Sequence, residues 1–154
     1  MTTSLRTGAV LFAKDLQKVV GFYEMVAGLR KTHTAGDHVV LRAGSYELVV
    51  HAIPDEVAGK DFIESPLVIR EDCTLKLVFF IDSILSTRKL AAKWGGLLHG
   101  PDREWRYVDT TVCDGCDPEG NVVQFRQRRV VKKQLKKRPQ LKRVTSKKQR
   151  HAKQ

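Results

Sequence analysis

The sequence is short of the features that assign a protein quickly. It holds three cysteines, two tryptophans, three tyrosines and six phenylalanines in 154 residues. Its longest apolar runs, residues 9–13 and 77–81, are five residues each. A bilayer-spanning helix needs about 20 apolar residues, so no membrane span is expected. The first twenty residues contain one Arg, two Lys and no long apolar stretch. Neither a secretory leader nor a transit peptide is expected there, which makes a cytoplasmic location the expectation. An odd number of cysteines in such a chain argues against a disulfide scaffold. Cys113 and Cys116 have C-x-x-C spacing, but no second pair and no H-x-x-x-H supplies the remaining ligands of a zinc site. A redox pair would sit at a helix start, whereas the turn residues Asp117-Pro118-Glu119-Gly120-Asn121 follow at once. Ordinary buried or loop cysteines are the expectation.

Acidic residues are absent from residue 126 to the end, where fourteen Lys and Arg are concentrated. The remaining fourteen Lys and Arg face seventeen Asp and Glu, so residues 1–125 carry a net charge of -3 although the whole chain is +11. The basicity therefore describes the tail and says nothing about the body.

The body repeats itself. Residues 8–13 read as a buried strand, Asp15 as a helix cap, and Leu16, Val19, Val20, Tyr23, Val26 and Ala27 as one helical stripe stopped by Gly28. Residues 39–41 and 46–53 follow as strands around a hairpin-like turn at 42–45, with Pro54 closing the second. The same order returns 68 residues later: a strand at 75–81, a cap at Asp82-Ser83, a helix through Ile84, Arg88, Ala91 and Trp94, and a stop at Gly95-Gly96. Strands at 105–112 and 121–126 complete it. Residues 54–74, which include Pro66, connect the repeats. Neither half can bury its sheet alone, so two βαβββ halves are expected to pack as one α+β domain over residues 1–127, followed by a tail at 128–154.

Lys14-Asp15-Leu16 leading to Phe22-Tyr23-Glu24 and Gly28-Leu29, together with the run from Cys113 through Asp117-Pro118-Glu119-Gly120-Asn121 to Gln124, resembles the vicinal oxygen chelate superfamily. These are the glyoxalase/bleomycin-resistance/dioxygenase proteins, and the resemblance covers residues 7–127. It implies curved mixed sheets that cup a small molecule, commonly completed by a homodimer. It also implies a divalent metal held by His, Glu or Gln from the first and last strand of each half. Those positions read here as Gly8, Val50 or His51, Lys76 and Gln124. Glycine has no donor atom and a Lys ammonium has no free lone pair. No metal cofactor is therefore expected; His51 and Gln124 are the remaining ligands if one binds.

The candidate ligand pocket comprises Phe12, His51, Lys76, Phe80, Trp105 and Gln124. Strand alternation leaves open whether His51 faces the cup, where it is a ligand or general base, or is an ordinary half-buried histidine. Lys76 is either an anion contact inside the cup or an exposed residue at a strand start. Trp105, with Arg106 and Tyr107, suits a planar or anionic ligand or else covers a sheet edge. Phe12 and Phe80 occupy equivalent places in the repeats and either pack the core or line the pocket. His33, His38 and His99 show no mutual spacing and are expected to be solvated.

The tail has too few apolar anchors to offset its ordering entropy and is expected to be disordered or a short exposed helix. Nucleic acid or another polyanion is the natural partner, through Arg128, Arg129, Lys132, Lys133, Lys136, Lys137, Arg138, Lys142, Arg143, Lys147, Lys148 and Arg150. No Phe, Tyr or Trp follows Phe125, so base stacking is not available to it. The leading functional expectation is a metal-free, glyoxalase-like small-molecule binder. The alternatives are a metal-dependent lyase, isomerase or dioxygenase with displaced ligands, and a polyanion-associated interaction protein acting through the tail.

Overall fold

A computed structural model describes residues 6–57 and 67–128. Pro66 and residues 129–154, and with them all the tail contacts named above except Arg128, lie outside the described residues.

The first half runs β1 (Thr7–Ala13), α1 (Leu16–Met25), β2 (Arg30–Thr34), β3 (His38–Ala43) and β4 (Tyr46–Ala52). The Asp15 carboxylate caps α1 by accepting the Lys18 amide at 3.0 Å. Beyond the helix Gly28 turns the chain at φ +72°, a conformation that suits glycine. The strands form one sheet in the order β1-β4-β3-β2, with β1 parallel to β4 and the other pairs antiparallel.

The second half repeats the plan with β5 (Leu77–Ile81), α2 (Ile84–Lys93), β6 (Leu97–Leu98), a 3-10 turn at Pro101–Arg103, β7 (Trp105–Tyr107), β8 (Thr110–Cys116) and β9 (Val122–Arg128). Ser83 caps α2 through the Ser86 amide. The sheet order is β5-β9-β8-β6, and β7 also pairs with β8. Strands β6 and β7 lie along the same partner on either side of the 3-10 turn, so together they are the interrupted counterpart of β2.

Helix α1 packs on β3 and β4, and α2 packs on β6 and β9. Phe22, Tyr23, Leu41, Leu48 and Val50 from the first half share one core with Phe79, Cys113, Val123 and Phe125 from the second. The D-P-E-G-N turn joins the halves. Asp117 is fully buried; its Oδ1 accepts the Glu119 and Asn121 amides at 2.9 and 3.0 Å. Its Oδ2 accepts the Asn121 side-chain amide at 2.9 Å and the Tyr23 hydroxyl of α1 at 3.1 Å. Glu119, 2% exposed, reaches across to accept the Lys14 and Asp15 backbone amides at 3.1 and 2.7 Å. The turn thus satisfies itself and closes the β1–α1 junction of the other half.

The structure departs from the sequence reading in two strands. The strand expected at 105–112 is two strands, broken at Val108-Asp109, where Val108 takes φ +52°. Cys113 and Cys116 lie in β8, which ends at Cys116 directly before the Asp117 turn, and both are buried, in keeping with the sequence reading. Strand β2, which no sequence signal marks, is exposed throughout because it is the outer edge of its sheet.

Candidate functional site

Residues paired across neighbouring strands share a face. In the second sheet Val78 pairs with Gln124, Phe80 with Arg126, Asp114 with Gln124, and Val112 with both Arg126 and Trp105. Phe80, Trp105, Asp114, Gln124 and Arg126 therefore lie on one face, opposite the core side chains of Phe79, Cys113 and Phe125. Arg106 falls on the reverse face from Trp105 and Tyr107.

A polar relay crosses this face. Lys76, immediately before β5, places Nζ 2.6 Å from Asp114 Oδ2. Asp114 Oδ1 accepts the Gln124 side-chain amide at 3.0 Å, and Gln124 Oε1 accepts Arg126 Nε at 2.8 Å. The Arg126 guanidinium carbon lies 4.8 Å from the Tyr107 ring centroid, a cation–π contact. The result is a row of two cations, one carboxylate and one amide, flanked by aromatic surface. Phe80 and Trp105 are 61% and 41% exposed, so the aromatic surface is available.

Beside the relay is a cavity of about 240 Å³ lined by Ile69, Glu71, Lys76, His99, Arg103, Asp114 and Val122. A wider groove of about 450 Å³ between the end of α1 and the start of α2 has Asp82 as its only ionisable lining residue. The smaller cavity is where charged groups converge, so chemistry favours it over size. Within it Arg103 Nη1 lies 3.3 Å from His99 Nδ1.

In the first sheet the β1–β4 register sets Glu47, not Val50 or His51, opposite Gly8. Val50 is fully buried in the core, and His51 pairs with Phe12 at the far end of the strand, their ring centroids 6.0 Å apart. Glu47 is held by Arg42, whose Nε donates at 2.7 Å. His51 and Gln124 have different partners, His51 lying beside His38 and Asp37 and Gln124 between Asp114 and Arg126, so the two residual ligand candidates belong to separate clusters. His51 instead stacks on His38, centroids 4.9 Å apart and planes 26° apart. Asp37 lies between them, with Oδ1 2.7 Å from His38 Nδ1 and Oδ2 3.9 Å from His51 Nδ1. The bond to His38 holds the Asp37 carboxyl below its ordinary value.

The donor set does not fit the metal that the resemblance implies. Gly8 offers nothing, Glu47 is engaged by Arg42, Lys76 brings a positive charge, and Gln124 is committed on both sides. Nor are the buried cysteines Cys113 and Cys116 poised as nucleophiles. Burial pushes the Cys116 thiol up to about 11, and it also raises that of Cys113.

Sequence reasoning named Lys76, Phe80, Trp105 and Gln124 for this face but missed Asp114 and Arg126. A signal was present. The strand alternation that sets Gln124 also sets Arg126, and a short turn at 117–121 places Asp114 across from Gln124.

No protein-family model matches the chain, and no curated protein sequence matches it. Solved structures do resemble it. A glyoxalase/bleomycin resistance protein/dioxygenase family enzyme from Burkholderia phytofirmans PsJN superposes with a TM-score of 0.58 at 17% identity, covering 79% of this chain and 97% of that one. An integron cassette protein from the mobile metagenome of V. cholerae gives 0.54 at 21% identity, over 82% and 97%. A mutant of the fosfomycin resistance protein FosX from Listeria monocytogenes, complexed with Mn(II) and 1S,2S-dihydroxypropylphosphonic acid, gives 0.58 at 12% identity, over 84% and 94%. The chain has the paired βαβββ fold of the vicinal oxygen chelate proteins.

Proposed function

We propose that the protein binds a small planar or anionic molecule on the open face of the second sheet, without a metal at the positions the fold's enzymes use. The observation that carries this reading is the Lys76–Asp114–Gln124–Arg126 relay. A fixed ammonium repels a divalent cation but suits a carboxylate or phosphonate. The Tyr107 ring under Arg126 and the exposed faces of Phe80 and Trp105 offer stacking surface beside it. The adjoining cavity lies just under the range of about 300–1,000 Å³ usual for drug-sized ligands, which favours a small one.

A second copy of the chain is the proposed cover for the open face. Strands β1 and β5 are sheet edges, and Val10, Phe12, Val78 and Phe80 on them are between 39% and 61% exposed. Exposed apolar edge strands invite pairing. The tail is proposed to contact polyanions, on the strength of its charge.

The test is a calorimetric screen of small aromatic carboxylates and phosphonates against chelator-treated protein. Ligand affinity is expected to be unchanged by EDTA and to fall at least tenfold in Lys76→Met, which keeps the side chain's bulk and removes its charge. Binding that requires an added divalent metal, or that ignores Lys76→Met, overturns the reading.

A further inference from the structure

Away from the relay, the other end of the first sheet gathers three nitrogen- or oxygen-donor side chains whose arrangement the small-molecule reading does not use. His38 opens β3 and pairs directly with His51 near the end of β4, so the two imidazoles stand side by side on one face. Asp37, in the turn before β3, sets its two carboxylate oxygens against the Nδ1 atoms of both rings. The backbone fixes that turn: the Ala52 amide bonds the Asp37 carbonyl at 2.7 Å, and the Ala35 amide bonds the His38 carbonyl at 2.9 Å. The carboxylate therefore stands on a braced turn beside two strands already in register.

We propose that Asp37, His38 and His51 form a site for a divalent transition ion of the imidazole-seeking kind, such as Zn²⁺, Co²⁺ or Ni²⁺. One carboxylate oxygen and two imidazole nitrogens suit these ions, whereas Mg²⁺ and Ca²⁺ want oxygen alone. The spacing is right. The three ligand atoms lie within 4.8 Å of one another. Ligands on a tetrahedral ion at about 2.0–2.1 Å stand roughly 3.3 Å apart; here Asp37 faces the rings with different oxygens, Oδ1 2.7 Å from His38 Nδ1 and Oδ2 3.9 Å from His51 Nδ1. Small rotations of the rings and the carboxylate close the difference. The side chains of His38 and His51 are 27% and 34% exposed, which leaves an entry path and an open position for water. His33 on β2 lies beside the group, its ring centroid 5.6 Å from that of His38. An ion here ties β3 and β4 to the turn that precedes β3. The site is separate from Gly8, Glu47, Lys76 and Gln124.

The experiment uses the full chain without a histidine tag, stripped with chelator and titrated with Co²⁺ and Zn²⁺. Co²⁺ is expected to bind one equivalent and to develop visible ligand-field absorption, which Zn²⁺ then displaces. Thermal stability of the stripped protein should rise on adding Zn²⁺. His38→Gln and His51→Gln should each weaken binding at least tenfold, and Asp37→Asn should weaken it as well. The metal-free melting temperatures of these variants report whether their folds are intact, and a combined His38→Gln/His51→Gln chain should give no absorption band. Lys76→Met leaves the metal titration unchanged. Absence of Co²⁺ binding at millimolar ion overturns the proposal, and so does a band that survives in the double variant, which would place the ion on other residues.

Discussion

Truncating Glu119 tests how the two halves are held together. Its carboxylate is almost fully buried and accepts two backbone amides, of Lys14 and Asp15, at 3.1 and 2.7 Å. In Glu119→Ala both donors lose a charged acceptor at once. A hydrogen bond to a charged group contributes about 1.5–3 kcal/mol, and donors left without a partner add a desolvation cost unless water reaches them. The amides are only partly buried, so water recovers some of the loss. The expected destabilisation is about 3 kcal/mol. Glu119→Gln keeps one carbonyl acceptor but turns an NH₂ group toward the other amide, and should cost about 1–2 kcal/mol. With an m-value of about 2 kcal/mol/M, the alanine variant should unfold at roughly 1.5 M less urea with an unchanged slope. Glu56→Ala, at an exposed turn, is the control and should stay within about 0.5 kcal/mol of the parent. Hydrogen exchange at the Lys14 and Asp15 amides should accelerate in Glu119→Ala ahead of the core. If the alanine variant unfolds within about 0.5 kcal/mol of the parent, the reasoning fails, since the carboxylate would then be replaceable by solvent.

Three further outcomes are expected. Cys73 is exposed while Cys113 and Cys116 are buried with raised thiol pKa values, so a disulfide reagent near pH 8 should modify one thiol quickly in native protein and three in denaturant. Gly115 packs against the backbone of Leu97 and Leu98 where β6 meets β8, leaving no room for a Cβ, so Gly115→Ala should destabilise by at least about 2 kcal/mol in a thermal melt. Deleting residues 129–154 removes twelve of the fourteen tail cations and should abolish nonspecific duplex binding without changing affinity at the relay. If six phosphates are contacted, the parent's log–log salt slope should be about -5; equal binding by the truncated chain refutes the tail's role.

The parts of this fold that sequence made legible are those whose signals are local. Asp15 and Ser83 cap the helices they were read to cap, because a cap needs only an oxygen and an amide a few residues on. The repeat was legible because both halves keep an apolar first strand, although neither is buried as the sequence suggested: only alternate residues of β1 and β5 pack toward the core. Strand β2 was not: Arg30–Thr34 lies at a sheet edge with no buried face, so no alternation betrays it. The break at Val108-Asp109 was hidden because a valine with positive φ is the reverse of a turn signal. The grouping of Asp37, His38 and His51 depends on strand register. With two residues, Gly44 and Ser45, between paired Ala43 and Tyr46, counting outward sets His38 beside His51, and the cluster was reachable by that count. Which face of the second sheet stays open depends instead on how the halves pack, and no local signal encodes it.

The clasp at Glu119 also has a consequence in time. Its partners lie 105 and 104 positions earlier in the chain, whereas the equivalent junction of the second half, the Ile84 amide, is capped by Gln127 only 43 positions away. At about 5–20 residues per second, a ribosome completes the second junction within roughly 2–9 s of making it. The first waits about 5–20 s for its acceptor to be synthesised. During that interval the Lys14 and Asp15 amides, beside the apolar edge of β1, have no permanent partner in Glu119. The older half of the nascent chain thus waits longest for its clasp, although Glu119 is made before Gln127, and the period before residue 119 emerges is when a chaperone or a wrong strand has its opportunity.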